Sequence, residues 1–168
     1  MSETLAKKLP GVTSHVAPRA IIRGTMVATD LDATRRMLEE LMGLETVRSA
    51  SDRLVVRERG HRPGEAKHGQ PYWVLEVKQV PEVQVEQEML NHWGVELSSA
   101  AEVDRAYETC AENAERFELG RVQKPRFRNN SYAFYFVDRD SNWWEMEYRT
   151  PDLVYTALRE RGDAVVEE

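Results

Sequence analysis

The chain has 168 residues, of which 41% are hydrophobic and 31% charged, with a mean hydropathy of -0.61 and one cysteine. This length is typical of one domain, or of two small modules that share a core. A net charge of -6 and a pI of about 5.4 argue against a nucleic-acid partner, which would require a basic face. No apolar run approaches the roughly 18 residues of a membrane span, and the N-terminus lacks a signal-peptide pattern. Because a lone cysteine suits a reducing compartment, we expect a cytoplasmic protein without a membrane partner.

The first part of the chain predicts a strand, a helix and three further strands. Asp30 or Asp32 can cap a helix that runs through Leu41, and Gly43 ends it. The polar stretch 59–70 is longer than a hairpin needs, so it is either a lid or binding loop or a mobile insertion. The predicted strands of this part lie at residues 20–28, 44–48, 54–58 and 72–80.

The same order of elements returns after a linker at 82–89. Ser98 or Ser99 can cap a helix over 100–117. Cys110 falls in this helix, with no histidine at helical spacing, and is interpreted as a buried small hydrophobic residue. The predicted strands of the second part lie at residues 90–97, 119–123, 131–137 and 143–148.

The repeated order indicates a duplicated fold of two βαβββ modules. Arg23 and His92 lie in the first strand of their modules, and Glu76 and Glu145 in the last. Both pairs are separated by the same offset (92 − 23 = 145 − 76 = 69). The predicted organisation is an N-terminal arm at 1–19, a single domain at 20–150 with modules at 20–81 and 90–149, and a C-terminal helix and acidic tail at 151–168.

Strand alternation places polar side chains together on one face of each sheet. The predicted polar faces carry His92, Gly94 and Glu96 on one strand, Glu145 and Glu147 on another, and Glu76 and Lys78 on a third. The opposite faces are apolar and should pack on the helices. One histidine and two glutamates on separate strands fit a divalent ion such as Mn, Fe, Ni or Zn. The same residue types on strands also commonly face solvent, so this set alone leaves both interpretations open.

Three stretches of the sequence resemble the vicinal-oxygen-chelate superfamily, which includes glyoxalases, extradiol dioxygenases and bleomycin resistance proteins. They are MVATDL at 26–31 with LMGLE at 41–45, NHWGVEL at 91–97, and YAFYFVDRDSNWWE at 132–145. The last stretch is similar to the family's final hairpin, F-Y-F-x-D-P-D-G-N-x-x-E, and is the most specific of the three. The resemblance spans about 20–149. It implies an α+β fold in which two βαβββ modules form a half-open mixed β-barrel with helices on its convex face.

The resemblance also implies metal ligands from the first and last strands of each module. Carried over by position, these are His92 and Glu145 from the second module and Glu76 from the first. The remaining position normally holds histidine or glutamine and here is Arg23. Because arginine offers no lone pair to a metal, Arg23 either pairs with Glu76, binds an anionic substrate group, or turns to solvent.

The implied function is a metal-dependent lyase or isomerase of glyoxalase or epimerase type, acting on an oxygen-chelating small molecule through an enediolate-like intermediate. Glu145 or Glu76 would be the base, Tyr135 a further catalytic group, and Arg23 and Lys78 contacts for an anionic or oxygen-rich substrate. An extradiol-type ring-cleavage dioxygenase is an alternative. Tyr135, ten residues before Glu145, supports this alternative. It is weakened because the first ligand position, which is histidine in those enzymes, is Arg23 here.

A third alternative is a binding protein of the bleomycin-resistance kind, without metal or catalysis. Aromatic residues near the predicted cavity suit a planar ligand: Trp73, Trp93, Trp143, Trp144, Tyr132 and Tyr135. By strand alternation Trp73, Trp93 and Trp144 point instead to the helix-covered face. The family resemblance further implies a homodimer.

Overall fold

The computed structural model describes residues 23–58, 74–128 and 131–149 and contains two βαβββ modules. The first comprises β1 (Arg23–Ala28), α1 (Leu31–Arg36) with a π-helical turn (Met37–Leu41), β2 (Glu45–Ala50), β3 (Arg53–Arg57) and β4 (Val74–Gln79). The second comprises β5 (His92–Glu96), α2 (Ala100–Glu112), β6 (Arg126–Arg128), β7 (Ser131–Val137) and β8 (Trp143–Arg149). The arm, the loop at 59–70 and the C-terminal helix that the sequence predicts lie outside the described residues.

Each module forms one four-stranded mixed sheet that does not close into a barrel. The strand orders are β1-β4-β3-β2 and β5-β8-β7-β6, with the first and last strand of each module parallel and the other pairs antiparallel. Thr25 pairs with Glu76 in the first sheet, and Gly94 pairs with Glu145 in the second. The same offset relates both pairs (94 − 25 = 145 − 76 = 69), so the predicted duplication and its register are confirmed.

The register shifts by one residue within the outer strand of the first sheet and just before the outer strand of the second. In β2 the shift lies between Arg48 and Ala50. In the second module Val122 bridges to Phe136, but the regular ladder resumes only at Arg126. The predicted strand at 119–123 is therefore wrong, because only a bridge forms there and β6 follows it. Pro125, between bridge and strand, has no N–H to donate to a ladder.

Local side-chain chemistry fixes where both helices begin. The Asp30 carboxylate accepts hydrogen bonds from the backbone N–H of Asp32 (2.9 Å) and Ala33 (3.0 Å), so Asp30 rather than Asp32 is the cap. Ser99 caps α2 through the N–H of Glu102 at 3.3 Å. This helix ends at Glu112, five residues before the predicted end (117 − 112 = 5), and irregular turns lead to Glu118 at a φ of 53°.

A single hydrophobic core draws on both modules. Its largest fully buried side chains are Trp144, Phe134, Phe136, Met26, Leu31, Met37 and Leu38. Trp144 and Met146 alternate along β8 with Glu145 and Glu147, so the predicted apolar face of this strand packs on the core. In the described part of the chain, no helix is long and apolar enough to cross a membrane.

The turn between β7 and β8 connects the modules. Asp138 accepts hydrogen bonds from the backbone N–H of Asp140 and Asn142, both at 2.9 Å, and so holds the turn closed. The Asn142 side-chain amide donates to the Val27 carbonyl at 3.1 Å, and Asp140 accepts from the Thr29 N–H at 3.0 Å. Because Val27 and Thr29 lie at the end of β1, this turn fixes the second module against the first.

Ser141 gives a test of this turn, because its φ of 63° lies in the left-handed region that glycine adopts most easily. The resembling family motif has glycine at this position. We expect Ser141→Gly to raise the free energy of unfolding by about 0.5–1 kcal/mol, measured by urea denaturation. The control is Ser51→Gly in the β2–β3 turn, whose φ is not positive. An equal gain in both variants would contradict the strain at Ser141.

Candidate functional site

Strand pairing in the second sheet brings three predicted site residues together. His92 begins β5, the edge strand that pairs with β8. Tyr135 in β7 pairs directly with Glu145 in β8. Since paired residues on neighbouring strands share a face, the three side chains point to the side of the sheet opposite the core.

The histidine of this cluster is held through both ring nitrogens. Its Nε2 lies 2.9 Å from Glu145 Oε2, and its Nδ1 lies 2.8 Å from the Met89 carbonyl oxygen. Because a carbonyl only accepts hydrogen bonds, Nδ1 must carry a proton. The carboxylate also only accepts, so with no cation between the two groups Nε2 donates to Glu145, and a bound metal ion would replace that proton and take the Nε2 lone pair. This is the orientation that a metal-ligating histidine requires.

The Tyr135 hydroxyl donates a short hydrogen bond to Glu145 Oε1. The rings of His92 and Tyr135 meet edge to face, with centroids 5.2 Å apart and planes at 80°. Burial, together with the Glu145 acceptor, raises the pKa of Tyr135 far above its ordinary value. Tyr135 therefore keeps its proton at working pH and acts as a hydrogen-bond donor.

Glu145 is only 8% exposed although it lies on the polar face. Its neighbour along the strand, Glu147, is 9% exposed and accepts from the Ser131 hydroxyl at 2.8 Å and from Arg149 Nε at 2.9 Å. Sequence alternation places Glu147 beside Glu145 but does not select it as a site residue. Only the packing shows that Glu147 is buried and fully engaged on this face.

The structure does not bring Glu76 and Lys78 to this cluster. Both lie on β4 in the first sheet, which shares no strand pairing with the second. Glu76 Oε1 lies 3.9 Å from Arg53 Nε, and Lys78 is exposed. Arg23 occupies in β1 the place that His92 has in β5, and its side chain lies outside the described part.

Within the described ranges, no three histidine, cysteine, aspartate or glutamate side chains converge on one point that could hold a metal ion. A single chain thus brings together two of the three predicted ligands, His92 and Glu145. The role of Glu76 as the third stays a prediction. A histidine whose Nδ1 is hydrogen-bonded to a backbone carbonyl and whose Nε2 lies next to a carboxylate is nevertheless a donor set that suits Mn, Fe, Ni or Zn.

A cleft of about 540 Å³ borders His92 on the side of the inter-module linker, lined by Val85, Glu86, Gln87, Glu88, Asn91, His92 and Trp93. Trp143, which pairs with His92 in the sheet, donates from Nε1 to the Gln87 carbonyl at 3.0 Å and so ties this linker to the site. Trp93 and Trp144 pack with the core, as the alternation predicts. Cys110 is buried in the core, as predicted, and burial raises the pKa of its thiol to about 12.

No family model and no curated protein matches this sequence. Solved structures do match. The fosfomycin resistance protein FosX of Listeria monocytogenes superposes with a TM-score of 0.57 at 20% identity, covering 87% of this chain and 98% of that one. A glyoxalase/bleomycin resistance protein/dioxygenase from Nocardioides gives 0.54 at 19% identity, covering 81% and 87%. At these identities the likeness shows the fold, so the chain has the vicinal-oxygen-chelate fold that its motifs predict.

The Listeria protein has also been crystallised with Mn(II) and sulfate. A mutant of it has been crystallised with Mn(II) and 1S,2S-dihydroxypropylphosphonic acid. These ligands belong to the neighbouring protein.

The Tyr135 contact can be tested through stability. We expect Tyr135→Phe to lower the free energy of unfolding by about 1–2 kcal/mol, because it leaves the buried Glu145 Oε1 without its donor. The matched control is Tyr132→Phe, whose hydroxyl binds Asp104 in an exposed position and whose loss should cost at most about 0.5 kcal/mol. Urea denaturation measures both variants, and equal losses would show that the buried Tyr135 hydrogen bond stabilises the fold no more than the exposed one of Tyr132.

Proposed function

We propose that this protein is a metal-dependent enzyme of lyase or isomerase type that acts on a small molecule with two adjacent oxygens. The observation that carries the proposal is the His92–Glu145 pair, 2.9 Å apart, with His92 Nδ1 anchored at 2.8 Å on Met89. The Met89 contact fixes the ring so that Nε2 and the buried Glu145 carboxylate lie together, where one divalent ion could bind both. The fold supports the proposal, since a neighbour with the same fold binds Mn(II).

When bound, a divalent ion would supply charge that stabilises an anion developing on the substrate oxygens and so acidify the adjacent C–H. The chain's own groups then have separate tasks. His92 and Glu145 would hold the ion, and the Glu145 carboxylate is the candidate proton acceptor. Tyr135, which keeps its proton, orients Glu145 by donating to Oε1 and leaves Oε2 for His92.

We further propose that the site is completed by a second copy of the chain in a homodimer. A two-ligand site is incomplete for the metals named above, and the first sheet offers Glu76 and Lys78 on its own polar face. The edge strand β2 of that sheet also exposes 63% of Val47 on the same face, which contact with a partner would cover. The compartment we propose remains the cytoplasm.

Metal binding tests the enzyme proposal. Protein purified without chelator and supplied with Mn, Fe, Ni or Zn should hold close to one ion per chain, measured by mass spectrometry. His92→Ala and Glu145→Ala should each lower the affinity at least about a hundredfold by removing a ligand. Glu108→Gln, an exposed carboxylate on α2, is the matched control and should bind like wild type.

A wild-type protein that binds none of the four metals would contradict the enzyme proposal. It would favour a metal-free ligand-binding protein of the bleomycin-resistance kind. With metal bound, α-ketoaldehyde adducts, acyl-CoA epimers and catechols are the substrates to screen. Turnover of catechols alone would favour the dioxygenase alternative.

Subunit complementation tests the homodimer. Glu76→Gln and His92→Ala proteins should each lack metal, but a heterodimer of the two contains one site with all ligands intact. After equal mixing and exchange, about a quarter of all sites should bind metal, because half of the dimers are mixed and each has one intact site. Metal recovery near zero in verified heterodimers would contradict a site shared between copies.

A further inference from the structure

The strand at the edge of the second sheet carries two arginines on the same face as the candidate site. Arg126 pairs with Ala133, which in turn pairs with Glu147. Arg128 pairs with Ser131, whose hydroxyl binds Glu147. Strand pairing therefore places both arginines on the polar face, Arg126 in the row of Glu147 and Arg128 in the row of Arg149.

These two arginines differ from the other cation of this face. Arg149 is engaged with Glu147 at 2.9 Å. Arg126 and Arg128 are exposed, and neither forms an ion pair with any residue in the described segments. Their charge is therefore available to a ligand.

Two of the residues beside the carboxylates on this face have small side chains. Ala133 separates Arg126 from Glu147, and Gly94 lies on the far side of Glu145. A Cβ placed on Gly94 would lie 3.7 Å from Glu147 Oε1, so the space above this glycine is bounded by a carboxylate. Neither position therefore places a large side chain beside the two carboxylates.

The distances suit a small molecule. Arg126 and Glu145 are two strands and one same-face step apart, which is about 12 Å between their backbones at ordinary sheet spacings. Arg126 and Arg128 are one such step apart, about 7 Å.

We propose that Arg126 and Arg128 bind an anionic oxygen group, a carboxylate or phosphoryl group, of the same small molecule whose adjacent oxygens reach His92 and Glu145. This deepens the proposed function and rests on it. Guanidinium groups bind such oxygens through paired N–H donors. The substrate is thereby assigned to the class of small acids or phosphoryl compounds with oxygens at their other end.

Binding of inorganic phosphate to the metal-free protein tests the arginine pair directly. Titration calorimetry at about 0.15 M salt, which screens long-range attraction, should show saturable binding to wild type. Arg126→Gln and Arg128→Gln should each weaken it about tenfold. Arg126→Lys should weaken it less, since the charge remains but the forked geometry is lost. Acetate, titrated separately, shows whether a carboxylate binds as well as a phosphoryl group.

Arg121→Gln is the matched control, an exposed arginine shortly before β6 that belongs to no part of the site. It should bind phosphate like wild type. Absence of binding to wild type, or an equal loss in Arg121→Gln, would overturn the proposal. Binding that survives Arg126→Gln and Arg128→Gln would also overturn it. If those variants then aggregate, the two arginines only protect an exposed sheet edge.

The readout does not depend on metal, so its failure is distinguishable from failure of the enzyme proposal. Suppose that the wild type binds phosphate but no metal, and that the β6 variants lose phosphate binding. The protein would then be an anion-binding protein, and the proposal for Arg126 and Arg128 would stand. Metal binding without phosphate binding would retain the enzyme proposal and remove the anionic substrate class.

Discussion

Parallel pairing between the first and last strand of each module is the constraint on which the rest of the architecture depends. A parallel pair cannot be closed by a tight turn, so each module must carry a helix and two further strands between β1 and β4 or between β5 and β8. The pairing also sets the site, because it aligns Gly94 with Glu145 and leaves His92 one same-face step away. An imidazole and a carboxylate that are 53 residues apart in the chain (145 − 92 = 53) thereby come within 2.9 Å.

The two modules share this frame but differ in chemistry at matching positions. Glu145 faces Tyr135 across the antiparallel pair, whereas Glu76 faces Val55. The glutamate of the first module lies near Arg53, while that of the second is bonded by a neutral tyrosine and a histidine. The first module thus surrounds its carboxylate with cationic and apolar groups and the second with groups that suit a metal.

Negative and positive side chains occupy different strands of the second sheet. The carboxylates lie on the central strand β8, and one of them, Glu147, is already neutralised by Arg149. The exposed arginines lie on the edge strand β6, two strands away. A ligand laid across these strands would meet the proposed metal site at one end and guanidinium groups at the other. The overall charge of -6 therefore gives no guide to the charge that this face selects.

Local features of the sequence determined most of the fold. Alternation in β5 and β8 defined which side chains face away from the core, and Asp30 and Gly43 marked the limits of the first helix. These signals are short-range, since they depend on backbone periodicity and on caps that satisfy neighbouring N–H groups. The outer strand at 119–123 was misplaced, because the bulge before Arg126 depends on pairing with β7.

Tertiary structure alone decided which candidate residues meet. It joined His92, Tyr135 and Glu145 and left Glu76 in the other sheet, since only the strand order sets distances between residues far apart in sequence. It also revealed the exposed Arg126 and Arg128, whose face follows from the register of an edge strand that the sequence did not place. Sequence thus specified the chemical groups and their faces, whereas long-range pairing specified the site.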